Sequence, residues 1–211
     1  MAKKVLVILA DGFEEIEAIT PVDVLRRAGV EVTLAGLPGK TVTGAHGVKF
    51  QADVTLDEYK DTPDAVVLPG GMPGAQNLGR SPKVAELIKK MNSQNKLVGA
   101  ICAAPALALA PTGILNGKKA TCYPGFEKNF PSSVAFSSDR VVVDGNVITS
   151  RGPGSAFEFA LELVERLVSK EKAETLSEGM LVPPPAFGPK SHFPSESPPL
   201  AEESGGGMVK G

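Results

Sequence analysis

Residues 96–105 read K-L-V-G-A-I-C-A-A-P. An apolar run rich in strand formers stops on Cys102, and an alanine-rich, helix-forming run begins at Ala103. A thiol is thereby placed on a sharp strand-to-helix turn, with the N–H groups of a helix start directed near the sulfur. A helix start favours anions, so this turn is expected to lower the thiol pKa and to offer donors to a developing oxyanion. The same geometry carries the serine of a nucleophile elbow. Taken alone, Cys102 also fits a second description, a small buried hydrophobe closing a strand end.

The surrounding segments alternate in the same way. Residues 5–10 form a continuous β-branched and leucine run, a strand covered on both faces. Residues 14–27 carry helical apolar spacing with Ile16, Ile19, Val22, Leu25 and Ala28 on one side. Pro21 is expected to kink or restart that helix with Thr20 as its cap, and Gly29 to end it. Residues 30–35 complete a βαβ opening. A hairpin-like excursion over 41–56 follows, then a buried strand at 64–68 ending in Pro69-Gly70-Gly71 and a helix over 82–92. Beyond the elbow, residues 119–123 read as a strand, and two short strands flank Asp144-Gly145-Asn146. Ser155-Ala156-Phe157-Glu158 reads as a capping box opening a helix to about Val168, with one more short helix over 170–180. The expected fold class is α/β, a doubly wound layer structure with a mainly parallel sheet, over residues 1–180. From 181 to 211 the chain turns rich in Pro, Ser and Gly without periodicity and is expected to be a disordered tail.

Bulk properties narrow the function classes. Hydrophobic residues make up 42% and charged ones 22%, with a formal charge of -2, as in an ordinary soluble globular protein. Beyond the pairs Arg26 with Arg27 and Lys118 with Lys119 there is no basic stripe, so nucleic acid is not an expected partner. Cys102 and Cys122 are the two cysteines, which gives no disulfide framework and suits a reducing compartment. With His46 and His192 the two histidines, a zinc site lacks ligands at sensible spacing, and no metal is expected. The apolar run at 5–10 is too short for a signal core, and 98–110 is too short for a membrane span, so a cytoplasmic protein without membrane attachment is expected. No G-x-G-x-x-G or P-loop follows a strand, which argues against a nucleotide or flavin role.

In an open parallel sheet, ligands gather beyond the carboxyl ends of the strands. Cys102 ends one strand there, Gly70-Gly71 ends another, and the acidic run Asp11-Gly12-Phe13-Glu14-Glu15-Ile16-Glu17 follows a third. Missing Cβ atoms at the glycines let backbone N–H groups approach a ligand. Glu17 lies opposite outward-looking Glu14 and Glu15 and so can turn inward, although spacing alone favours a solvated helix-face charge. Beside the thiol its carboxyl pKa would rise, and the acid would hydrogen-bond a thiolate. Cys122 reads as structural, since nothing near it suggests a depressed pKa.

Four blocks then decide a resemblance: D-G-F-E-E-I-E-A-I-T-P-V-D-V-L-R-R-A-G, V-V-L-P-G-G-M-P-G-A-Q-N-L, A-I-C-A-A-P and T-S-R-G-P-G-S-A-F-E-F-A-L. In this order they closely resemble the DJ-1/PfpI superfamily, most strongly its parkinsonism-associated deglycase branch and bacterial relatives. The resemblance implies a flavodoxin-like three-layer sandwich that forms a homodimer, with Glu15, Arg26 and Arg27 near the interface. It implies Cys102 as nucleophile and Glu17 as the protonated carboxyl touching it. Gly70, Gly71 and the backbone of Ala103 take the substrate and oxyanion, and Gly152 and Pro153 close over the site. Tyr123 stands where animal relatives carry a His, and His46 where relatives bring an Arg, so a Cys–His mechanism is not expected. Ala103 replaces the His that follows the Cys in the protease-like branch, which ranks peptidase activity low.

The resemblance implies an enzyme without metal or organic cofactor. It would turn α-oxoaldehydes such as methylglyoxal into hydroxy acids, or remove early glyoxal adducts from glycated proteins. The alternative is an oxidative-stress sensor or chaperone acting through oxidation of Cys102.

Overall fold

A computed structural model describes residues 2–182. The expected tail lies outside the described residues, except for Leu181 and Val182. Strands β1 (Lys4–Ala10), β2 (Glu31–Leu37), β5 (Val54–Thr55), β6 (Ala65–Leu68), β7 (Leu97–Ile101), β10 (Val141–Asp144) and β11 (Val147–Ser150) form one sheet, ordered β10-β11-β7-β6-β1-β2-β5. All neighbours run parallel except the β10–β11 hairpin. β3 (Thr41–Thr43) and β4 (Lys49–Gln51) pair separately, as do β8 (Lys119–Ala120) and β9 (Ala135–Phe136).

Six of the seven residues of β1 are buried, because helices cover both faces of the central strands. Helix α1 (Glu15–Arg27) packs on α4 (Ala156–Leu167), and α4 on α5 (Lys170–Gly179). Helices α2 (Gly74–Arg80) and α3 (Pro82–Ser93) pack with the elbow helix at 105–109. The result is the expected flavodoxin-like α/β sandwich with a mostly parallel central sheet. Among the described residues no helix is long and apolar enough to cross a membrane.

Local expectations differ in six places. Helix α1 runs through Pro21 without restarting, because α1's packed face, which includes Ala18, Pro21, Val22, Val24 and Leu25, is buried and holds the element together. Ile16 and Ile19, expected on that face, are exposed instead. The elbow helix is not regular α: residues 105–109 make a π-helical turn, with the Ala110 N–H bonded to the Pro105 carbonyl, and a 3-10 turn follows over 110–112. The strand expected over 119–123 keeps β8 alone, since past Ala120 the chain bends toward the elbow and the Tyr123 N–H donates to the Cys102 carbonyl at 2.9 Å. No capping box opens α4: the Ser155 hydroxyl turns back onto Gly152, and Glu158 pairs with Arg140. Helix α2, with two glycines in seven residues, gave no apolar period to read.

Candidate active site

Because β1, β6, β7 and β11 are parallel and in register, their carboxyl ends meet on one edge, with Ser150 opposite Ile101 and Leu68 opposite Ala100. The residues leaving those ends build the site. Cys102 leaves β7 with φ +64°, a left-handed conformation costly for a side chain with a Cβ. Its backbone is pinned on both sides: its N–H donates to the Ser150 carbonyl at 2.9 Å, and its carbonyl accepts from Tyr123. The N–H groups of Gly71 and Ala103 point at the sulfur, where they favour negative charge.

Glu17, on the first turn of α1, points inward and is fully buried. Its Oε2 accepts the Gly70 N–H at 2.8 Å, while Oε1 has no hydrogen-bond partner. Burial pushes the Glu17 carboxyl up to about 8, against the pull of the Cys102 thiol and the Gly70 N–H; the Glu14 charge adds to the rise. Cys102 moves opposite to the sequence expectation. Burial and the Glu17 charge hold its thiol well above the ordinary range, and the Gly71 and Ala103 N–H groups offset only part of this. The two groups are coupled: ionisation of one opposes ionisation of the other, and Glu17 gives up its proton before the thiol.

Gly70 acts as a spacer rather than a donor to ligand, for its N–H is committed to Glu17 and its carbonyl to the Glu14 N–H. A Cβ on Gly70 would stand 2.6 Å from the Cys102 Cβ and 2.7 Å from Glu17 Oε2, so no other residue fits between them. Gly71, at φ +82°, needs glycine for its backbone as well. Gly152 covers the site from β11: a Cβ there would come 3.1 Å from the Tyr123 ring and 4.0 Å from Glu17 Oε1. Pro153 opens the single 3-10 turn behind it. Tyr123 is half-buried and meets Phe126 edge-on, with ring centroids 6.4 Å apart.

His46 bonds elsewhere. Its Nδ1 lies 3.0 Å from Glu15 Oε2 and 3.4 Å from Glu14 Oε2, and its N–H donates to Glu15 Oε1. Glu14 and Glu15 are therefore half-buried partners of His46 rather than outward-looking charges. The Glu15 hydrogen bond and the charges of Glu14 and Glu15 raise the His46 pKa. Burial pushes the Glu15 carboxyl up, but hydrogen bonds from the His46 ring and from the Glu15, His46 and Val48 N–H groups outweigh it and hold the carboxyl down. These three side chains are the grouping of metal-ligating type among the described residues, and the His46 Nδ1 is already engaged by both carboxylates. Cys122 is buried, and burial pushes its thiol up to about 12. A cleft of about 320 Å³ lined by Asp11, Leu37, Pro38, Asn77, Arg80 and Ser81 contains none of the residues around Cys102.

Sequence reasoning missed the scaffold behind Gly152. Arg140 holds Glu158 through two nitrogens and donates to the Gly154 carbonyl. The Ser150 and Ser155 hydroxyls meet at 2.7 Å beneath the loop. Lone serines and a half-exposed ion pair leave no periodic signal in a sequence.

The DJ-1/PfpI family model matches residues 3–166, which include every one of these site residues. The chain belongs to the DJ-1/PfpI family. It is 49% identical over 176 residues to the Parkinson disease protein 7 homolog of Danio rerio, covering 81% of this chain and 93% of that one. Protein dj-1beta of Drosophila melanogaster is 45% identical, with 86% of this chain and 98% of that one covered. Its crystal structure superposes with a TM-score of 0.83, covering 87% of this chain and all of that one. The glutathione-independent glyoxalase DJR-1.2 of Caenorhabditis elegans is 41% identical, over 82% of this chain and 94% of that protein. The chain spans about half the length of the DJ-1 homologs A and B of Arabidopsis thaliana, 47% and 42%.

Proposed function

We propose that this protein is a cofactor-independent cysteine enzyme acting on α-oxoaldehydes, converting methylglyoxal to lactate, with early glyoxal adducts on proteins as related substrates. The observation that carries the reading is the buried Glu17 carboxyl against Cys102, with the Gly71 and Ala103 N–H groups on the sulfur. That a relative 41% identical is named a glutathione-independent glyoxalase supports it.

The chemistry follows from the proton count. Once the pair has lost its first proton, Glu17 accepts the thiol proton as sulfur attacks the aldehyde carbon. The aldehyde oxygen becomes an oxyanion facing the Gly71 and Ala103 N–H groups, then takes the proton back from Glu17, giving a hemithioacetal. The Glu17 carboxylate next removes the hydrogen from that carbon, giving an enediolate, and returns it to the neighbouring carbon while the hydroxyl proton passes to that carbon's oxygen, leaving a lactoyl thioester. Water cleaves the thioester to lactate and restores the thiol. Each step uses groups already in contact, and Tyr123 takes no proton.

Lactate formation from methylglyoxal by the wild-type protein and by Cys102→Ser, both freed of contaminating glyoxalase, tests the reading. Turnover in the first and none in the second supports it; no turnover in the wild type refutes it.

A second reading, sensing of oxidants through Cys102, draws support from one observation. A relative with a TM-score of 0.82 and 42% identity, Toxoplasma gondii DJ-1, has been solved in oxidized form. A protonated Glu17 beside the sulfur would stabilise a sulfinate. We also propose a homodimer, since Ile16, Ile19 and Val48 leave apolar surface exposed around the start of α1, and a cytoplasmic location, which suits the two unpaired thiols.

A further inference from the structure

We propose that Ser155 is a positioning residue, whose hydroxyl holds Gly152 closed over Glu17 and ties that glycine to the strand end that fixes Cys102. The proposal rests on the reading of Glu17 and Cys102 as a reactive pair.

Ser155 stands where the N-cap of α4 belongs, yet its side chain makes no cap bond. A serine cap contributes about 1 kcal/mol to a helix, and the hydroxyl is used elsewhere instead. Its Oγ lies 2.9 Å from the Gly152 carbonyl, accepts the Gly152 N–H at 3.2 Å, and meets Ser150 Oγ at 2.7 Å. Ser150 Oγ in turn reaches the Arg140 carbonyl at 2.9 Å, and the Ser150 carbonyl accepts the Cys102 N–H at 2.9 Å. Both serines are buried, so these bonds have no water competing for them. With two protons shared among three oxygen contacts, the Ser155 hydroxyl accepts the Gly152 N–H and either donates to the Gly152 carbonyl or exchanges a hydrogen bond with Ser150, which ties the loop to the backbone of the thiol.

Position matters because Gly152 faces Glu17 Oε1, the carboxyl oxygen without a partner. While the glycine stays in place, water does not reach that oxygen and the carboxyl keeps its proton. The other charged or titratable groups facing Glu17 are Cys102 from the elbow, Glu14 from the start of α1, and Tyr123 across Gly152 from the segment after β8. The Ser155 hydroxyl bonds to Ser150 and Gly152 and to none of these. Removing its hydroxyl therefore changes solvent access to Glu17 and leaves the neighbouring charges as they are.

The test is the rate of Cys102 carbamidomethylation by iodoacetamide against pH, read by peptide mass so that Cys122 is counted separately. In the wild type the rate rises as the pair loses its first proton. Ser155→Ala is expected to move that midpoint down by about one unit, a shift typical of partial resolvation. Ser155→Thr, which keeps the hydroxyl, restores the wild-type midpoint. Ser150→Ala gives an independent arm and shifts it in the same direction. A midpoint unchanged in both alanine variants overturns the proposal. Glu17→Gln separates the two ideas: if it leaves the wild-type profile unchanged, the reactive-pair reading fails, whatever Ser155 does.

Discussion

Glu17 and Cys102 share one buried niche, with Gly70 as the only residue small enough to stand between them. The Gly70 N–H is bonded to the carboxyl, and its Cα lies so near the thiol that a Cβ would be 2.6 Å from the Cys102 Cβ. Burial raises the proton affinity of both groups, and the charge of one raises that of the other. Reactivity at this site is therefore set by how many protons the pair holds.

Replacing Glu17 by Gln keeps the volume and an acceptor for the Gly70 N–H but removes the proton relay. General acid–base groups contribute about 10²–10⁴ in rate. Lactate formation from methylglyoxal is expected to fall at least about a hundredfold while circular dichroism stays unchanged. A rate within a few-fold of wild type would remove Glu17 from the mechanism.

Stability should depend on pH through the same carboxyl. Its pKa is about 8 in the fold against 4.5 in the open chain. Between those values the native state keeps a proton that the unfolded chain has released. Stability from this group is fullest below 4.5 and is lost as pH rises toward 8, by up to about 1.4 kcal/mol per unit. Urea midpoints at pH 5 and pH 8 should differ more in the wild type than in Glu17→Gln. Equal differences in the two proteins would contradict the burial of the charge.

A methyl group at Gly70 has nowhere to go. It would meet the Cys102 Cβ, Glu17 Oε2 and the Ile101 carbonyl, all within 2.9 Å. Gly70→Ala is expected to cost about 1–3 kcal/mol of stability, as overpacking does, and to lower turnover by separating carboxyl from thiol. Chemical denaturation and the lactate assay check both halves.

The hydroxyl of Tyr123 is given no proton to carry. Tyr123→Phe keeps the ring against Gly152 and the backbone N–H on Cys102. Turnover should stay within about tenfold of wild type, below the usual contribution of a general acid or base. A hundredfold loss would make Tyr123 a participant.

The outline of this site was open to sequence reading, and its energetics were not. β1, β6 and β7 are buried apolar runs, so their ends could be found, and Cys102, Gly70-Gly71 and Glu17 with them. The inward turn of Glu17 could not be settled by spacing, because a single Glu on an amphipathic helix has no periodic signature. The thiol pKa was misread for a physical reason: the elbow supplies two N–H donors as expected, but burial and the Glu17 charge outweigh them. Ile16 and Ile19 fit the apolar period of α1 yet face outward. Period alone does not tell a core face from a surface kept for a partner.

That exposed surface carries a prediction of its own. Light scattering should give twice the chain mass of 21.9 kDa. Ile16→Glu, which places a charge in the apolar patch, should shift the protein toward monomer. A monomeric wild type would contradict the homodimer.

The most direct measurement of the central claim is the infrared carbonyl band of Glu17 as a function of pH, taken as the difference between wild type and Glu17→Gln. A protonated-carboxyl band present at neutral pH and disappearing around pH 8 is the result expected of a buried acid that holds its proton beside Cys102. A spectrum already that of a carboxylate at pH 6 would mean that Glu17 is an ordinary ionised side chain, and the account of the pair would fall.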